Sequence, residues 1–278
     1  MILSTYLRNQ LTPKALERIH ALGWIDSHFI TEHKFVPEAW VPKLKGISKK
    51  DRFRIVPIDW GRLEEEIARV EVEFCPRVED PAVCWNYEDP HAWLSWAAQG
   101  DDKLRRWAME GIGKFWGTVL GRSKITLPGP WGTALVNRKT LEPHPWRNAA
   151  ALLGRSVHVS GYYKTPENEA ASLDWVTAQL ENAIELASGP VRLWVWSQCH
   201  SGDLMPLDYL RRLGSLVAAY DDADSPYRVG ITLFGITRWT DPDLSRHQVD
   251  AEYMNAAAAI TEGAAQVASI YRPRTENG

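Results

Sequence analysis

Three carboxylates are the residues best suited to do chemistry: Asp59 in PIDW, and Glu88 and Asp89 in WNYEDP. Each follows an apolar run that reads as a β-strand. Two carboxyls held roughly 5 to 9.5 Å apart break a glycosidic bond. One donates a proton to the leaving oxygen, and the other attacks, orients water or stabilises positive charge on the sugar ring. The donor must stay protonated near neutral pH, and burial beside Trp60, Trp85 and Tyr87 favours that state. Glu88 is the expected acid, Asp59 its partner and Asp89 the third candidate, with Asp26 and Glu32 in WIDSHFITEH behind them. If Asp59 and Glu88 end consecutive parallel strands, their backbones are about 4.8 Å apart, within reach of that geometry. The plainer alternative makes Asp59 the cap of a helix starting near Gly61, and Asp89-Pro90 a turn.

Aromatic residues recur where the strands run out. Trp60 follows RIVPID, Tyr87 sits in AVCWNYE, Trp131 follows KITLPGP, Tyr162 and Tyr163 follow VHVSG, Trp196 ends VRLWVW and Trp239 follows ITLFGIT. Some of the fourteen tryptophans, such as Trp107 and Trp116, suit a core. A set at strand ends needs another account. The axial C–H bonds of a pyranose stack on indole and phenol faces, while its hydroxyls need amides and carboxylates nearby. Gln198 and His200, just after Trp196, suit that second task. Ser197, His158 and Arg238 are further polar candidates, although a lone histidine inside a strand is more often a satisfied core residue.

The elements that must position these groups alternate along the chain. Strands are expected over Phe53–Asp59, Ala82–Glu88, Lys124–Leu127, Ser156–Ser160, Val191–Trp196 and Val229–Gly235. Between them fall helices over Arg62–Glu73, Asp102–Leu120, a stretch beyond Pro206 and Gln248–Ser269. The clearest helix carries Leu173, Val176, Leu180, Ile184 and Ala187 at helical spacing and stops at Gly189-Pro190. Residues 1–50 add a helix, Pro13–Leu22, and a strand, Trp24–Ile30. This alternation predicts an α/β fold, a TIM-like (β/α) barrel of seven or eight parallel strands, as one domain over 1–278 with residues 1–50 completing the ring. Strand ends of such a barrel meet on one face and form an aromatic-lined cleft. A doubly wound nucleotide-binding sheet is disfavoured, because neither GxGxxG nor GxxxxGK[ST] occurs.

Composition narrows the partners. A net charge of -3 and a sequence pI near 6.3 supply no broad cationic surface for nucleic acid or anionic lipid. No run of 18 apolar residues and no secretory leader is visible, so the chain reads as soluble and by default cytoplasmic, with localisation otherwise open. Cys75, Cys84 and Cys199 form no framework and no CxxC pair. Metal chemistry is the main enzymatic alternative: His28, Glu32 and His33 with Asp59 and Glu88 include zinc- and manganese-type ligands, but no strand carries HxH. Cys199-His200 raises thiol catalysis, yet adjacent residues rarely face each other. A barrel that binds sugar without cleaving it is the third possibility.

The strand-end groups of PIDW, WNYEDPHAW, SGYY and WVWSQ resemble the active-site faces of (β/α)-barrel glycoside hydrolases. The resemblance covers most of the chain as architecture, without a family signature over any long stretch. Glu88, two positions after Asn86, resembles the strand-end pair of chitinase-like and hyaluronidase-like barrels, although Asn86 stands where their DxE pattern has aspartate. FGITRW offers no carboxylate, so the likeness does not extend to the clan with acids on the fourth and seventh strands. The resemblance implies hydrolysis of a poly- or oligosaccharide without a cofactor, and leaves the carboxylate roles open.

Overall fold

The computed structural model describes residues 1–5, 11–31, 36–47, 57, 59–74, 82–86, 129–130, 134–144, 147, 157–161, 169–197, 203–221, 228–234 and 245–271. Seven strands alternate with helices: β1 (Ile2–Thr5), α1 (Pro13–Ala21), β2 (Ile25–Thr31), a 3₁₀ segment (Glu38–Gly46), α2 (Trp60–Phe74), β3 (Ala82–Asn86), β4 (Gly129–Pro130), β5 (Val157–Ser160), α3 (Glu169–Leu186), β6 (Val191–Trp196), α4 (Leu207–Tyr220), β7 (Val229–Phe234) and α5 (Arg246–Tyr271). All strand pairs are parallel, in the order β4-β3-β2-β1-β7-β6-β5. The outermost strands, β4 and β5, come within 8 Å of each other at Cα.

Two expectations are corrected here. The four-residue strand β1 lies between β2 and β7, although its short ILST run was not read as a strand. Asp59 is not the end of a strand beside β3: the two edges of β3 are taken by β2 and β4, and Asp59 immediately precedes α2. The expected strand over Phe53–Asp59 otherwise falls outside the described residues, as do Lys124–Leu127 and the helix over Asp102–Leu120. The PGP sequence, read as a turn, instead places Gly129 and Pro130 opposite Cys84 and Trp85.

Helix ends follow ordinary capping chemistry. Thr12 accepts the Ala15 N–H at 3.3 Å, Pro13 begins α1, and Asp250 of α5 accepts from both the Thr12 N–H and its hydroxyl. Gly23, at φ 85°, closes the far end in the left-handed region. Helices α4 and α5 approach so closely that a methyl on Gly214 would overlap the Ile260 carbonyl, and one on Gly263 that of Arg211.

Register divides β5, β6, β7 and β1 into two faces. Val157, Val159, Val191, Leu193, Val195, Val229, Ile231, Leu233 and Leu3 share one apolar cluster with Val176, Leu180, Leu213, Val217, Tyr253 and Ile260 of the helices. The alternate positions, Ser4, Thr232, Arg192, Trp194, His158 and Ser160, are also buried. They lie outside that cluster. Strand periodicity therefore produces an apolar helix-facing side and a polar, equally buried opposite side.

Candidate functional site at the carboxyl ends of the strands

Strand β6 carries the best-defined part of the site. Trp194 and Trp196 are two residues apart and so share the polar face, with Trp194 fully buried and Trp196 half-buried one step nearer the carboxyl end. Trp196 takes no part in the helix-facing cluster. Beneath it, the Trp194 indole N–H donates to Nδ1 of His158 at 2.7 Å, the rings lying 5.8 Å apart at 25°. An indole N–H can only donate, so Nδ1 is the bare nitrogen and the neutral imidazole holds its proton on Nε2. Burial, reinforced by the nearby Arg192 charge, lowers the His158 pKa to about 3. His158 is thus a neutral, buried group that supports the Trp194 ring one layer below Trp196. Arg192 lies deeper, with Nη1 donating to the carbonyls of Val191 at 3.2 Å and Arg228 at 3.4 Å.

The neighbouring strand ends are tied down by hydroxyls. Ser4 and Thr232 pair at 2.7 Å on the polar face. On the helix side, the Tyr253 hydroxyl donates to the Leu233 carbonyl at 2.7 Å and pairs with Thr5 at 2.6 Å, and burial raises its pKa. Gly161 leaves β5 with its N–H bonded to the Trp194 carbonyl at 2.7 Å. A methyl there would press on Leu193 and on that carbonyl, so glycine permits the close approach.

Asp59 is half-buried, and its Oδ1 accepts the Arg62 backbone N–H at 3.2 Å. That bond caps α2, while Trp60 forms the helix's first residue. The structure does not bring Asp59 alongside β3 by strand pairing. Glu88, Asp89, Tyr87, Trp131, Tyr162, Tyr163, Gln198, His200 and Trp239 lie outside the described residues. Chain order nevertheless puts Tyr87 and Glu88 directly beyond the carboxyl end of β3, and Gln198 and His200 beyond that of β6. The metal alternative also falls largely outside; among the described residues no group of three or more His, Cys, Asp or Glu could hold an ion. No helix among them is long and apolar enough to cross a membrane.

Two buried groups were not singled out as site residues from the sequence. Arg192 was hidden by its place in an otherwise apolar strand. Gln179 of α3 did carry a signal: it interrupts the stripe formed by Val176, Leu180 and Ala183. Its amide reaches both the Ser160 carbonyl and the backbone of Leu135 and Val136.

Neither a protein-family profile nor a curated sequence matches the chain. Solved structures do. Bee venom hyaluronidase in a monoclinic crystal superposes with a TM-score of 0.58 at 8% identity, over 94% of this chain and 100% of the other. The same enzyme in complex with a hyaluronic acid tetramer superposes with a TM-score of 0.59 at 7% identity, over 95% of this chain and 100% of the other. The chain shares the overall fold of these solved structures, and at 7–8% identity the likeness is one of fold alone.

Proposed function

We propose that the protein is a glycoside hydrolase that cleaves a poly- or oligosaccharide in a cleft at the carboxyl ends of its strands. The observation that carries this reading is the fold match along the whole neighbour, which in one structure holds a hyaluronic acid tetramer. Closure of the sheet into a single (β/α) barrel of seven or eight strands over 1–278 is part of the proposal. Strands β5, β6, β7 and β1 are buried on both faces, yet α3, α4 and α5 cover only one. Such strands can bury the second face by curling around it, and the approach of β4 to β5 within 8 Å at Cα supports closure.

In this reading Glu88, two residues beyond β3, protonates the leaving oxygen. Asp59 supplies the second carboxyl, with Asp89 next in line. Trp60, Tyr87, Trp131, Tyr162, Tyr163, Trp196 and Trp239 stack the sugars, and Gln198 and His200 bond their hydroxyls. The cap bond from Asp59 and the asparagine at position 86 favour a second reading, a barrel that binds saccharide without hydrolysing it.

One assay separates the two. Hyaluronan, chitin and cellulose oligosaccharides are incubated with the protein, and new reducing ends are counted alongside binding. Glu88→Gln should lower turnover by about 10² to 10⁴-fold while retaining binding. Binding without turnover in the wild type establishes the second reading. Turnover unaffected by Glu88→Gln removes Glu88 as the acid, and turnover abolished by a chelator and restored by a divalent ion moves the chemistry to a metal.

A further inference from the structure

We infer that Gln179 is a positioning residue for the carboxyl end of the sheet, holding the hairpin of residues 135–144 against the end of β5 at Ser160 and Gly161. Its consequence for binding rests on the glycosidase reading, whereas its geometry does not. Gln179 is completely buried. Its Oε1 accepts the N–H groups of Leu135 at 2.7 Å and Val136 at 2.9 Å, and its Nε2 donates to the Ser160 carbonyl at 3.3 Å. One amide therefore bonds two segments that lead to different aromatic candidates.

The hairpin and the end of β5 are each held by further bonds, so a link between them transmits position. Residues 135–144 form a hairpin, with Asn137 N–H on the Glu142 carbonyl at 2.8 Å and His144 N–H on that of Leu135 at 2.8 Å. Asn137 Oδ1 staples its tip by accepting from Lys139 at 2.8 Å and Thr140 at 3.3 Å. Helix α3 grips the base again through Trp175, whose Nε1 donates to the Val136 carbonyl at 3.0 Å. Arg138 lies 4.7 Å over the Trp175 ring and donates to Ser172 at 3.1 Å. On the other side, Gly161 is fastened to β6 through the Trp194 carbonyl. Gln179 thus joins the hairpin to the β5–β6 strand ends. A helix needing only to pack would place an apolar side chain in the stripe of Val176, Leu180 and Ala183; an amide is demanded by two N–H groups and a carbonyl that come from the cleft segments.

The test measures hyaluronic acid tetramer binding by calorimetry, turnover, and amide hydrogen exchange in the full-length protein. Gln179→Met should weaken binding about tenfold, the scale of one misplaced aromatic platform, while kcat stays within about threefold. Exchange should quicken at Leu135, Val136 and Gly161 and stay unchanged in β7. Gln179→Glu supplies a rescue. Near neutral pH its carboxylate can still accept from Leu135 and Val136 but has no proton for Ser160. As pH falls and the carboxyl protonates, its O–H can donate to that carbonyl, so binding and exchange protection should recover toward wild type. General acid loosening of the fold runs the opposite way. Unchanged exchange and affinity in Gln179→Met, or no acid recovery in Gln179→Glu, overturns the inference. If Gln179→Met does not fold, the Gln179→Glu titration decides. A wild type that binds no saccharide sinks the glycosidase reading, and the exchange measurements still decide the role of Gln179.

Discussion

Lowering the pH should destabilise this protein through His158 before Asp221 contributes. The imidazole is neutral in the fold, bonded at Nδ1 to Trp194 and depressed to about 3, whereas in the unfolded chain it titrates near 6.5. Above 6.5 both states are neutral and the full stability is present. Below it the unfolded chain gains a proton that the fold refuses, so stability falls with a slope of about 1.4 kcal/mol per pH unit until the folded imidazole titrates. The gap from 6.5 to about 3 corresponds to about 5 kcal/mol, of which about 2 kcal/mol is gone by pH 5. Asp221 marks the lower boundary of the window. Burial pushes its pKa up, but bonds from Arg228, the Met1 ammonium and the Val229 N–H outweigh that and hold it below the ordinary value. Its contribution is therefore lost only at lower pH. Urea unfolding at pH 7, 6 and 5 should show the His158 slope in the wild type. His158→Gln, whose side-chain oxygen can accept from Trp194 without titrating, should lack it. Parallel slopes in the two proteins would refute the buried neutral histidine, and a proton found on Nδ1 by NMR would refute the hydrogen-bond assignment.

Trp196→Ala should weaken saccharide binding with a modest loss of stability, whereas Trp194→Ala should cost about 3 to 5 kcal/mol in urea unfolding because that ring is fully buried; equal stability losses would contradict the layered arrangement. Gly263→Ala places a methyl on the Arg211 carbonyl and should destabilise by about 1 to 3 kcal/mol or more, read as a lower unfolding midpoint. Asp59→Asn retains a capping oxygen, so stability should stay within about 0.5 kcal/mol of wild type while Asp59→Ala costs about 1 kcal/mol. Full turnover in Asp59→Asn would leave Asp59 as a cap alone.

Long periodic segments were legible from the sequence because burial on one side imposes a regular pattern. The boundaries expected for β6 match those observed, and α3 stops where Gly189-Pro190 required it. β1 was not legible: four residues are too few for strand periodicity, and its place between β2 and β7 is set by long-range pairing. The expectation that the strand leading to Asp59 lies beside β3 failed for the same reason. Adjacency in sequence was taken for adjacency in the sheet, while β2 occupies that edge. The capping alternative for Asp59 was legible because Asp before a helical run has a local bond to make. Of the two roles read for His158, polar support of a sugar site and a satisfied core residue, its buried bond fits the second, but its partner, Trp194, lies 36 positions away and could not be found by spacing.

Strand order changes how the substrate would meet the acid. Glu88 follows β3 and Trp196 ends β6, and those strands are separated by β2, β1 and β7 along the ladder, or by β4 and β5 across the closing edge. In a closed ring they stand on nearly opposite sides. Seven strands about 4.8 Å apart and tilted about 36° enclose a ring about 13 Å across at the backbone. A glutamate and a tryptophan on opposite walls, each reaching inward by about 5 to 6 Å, would leave only about 1 to 3 Å between them, too little for a sugar ring, so the substrate would have to sit above the ring at its mouth. The platform would then hold a pyranose face against Trp196 while the bond to be broken is presented to Glu88 across the mouth. Such a placement would separate the sugar platform from the acid, and the second carboxyl that hydrolysis needs must still lie within about 5 to 9.5 Å of Glu88. It places Gln179, which joins the hairpin to β5, on the same side as the Trp196 platform and away from β3, so a change there should act on sugar binding rather than on proton transfer.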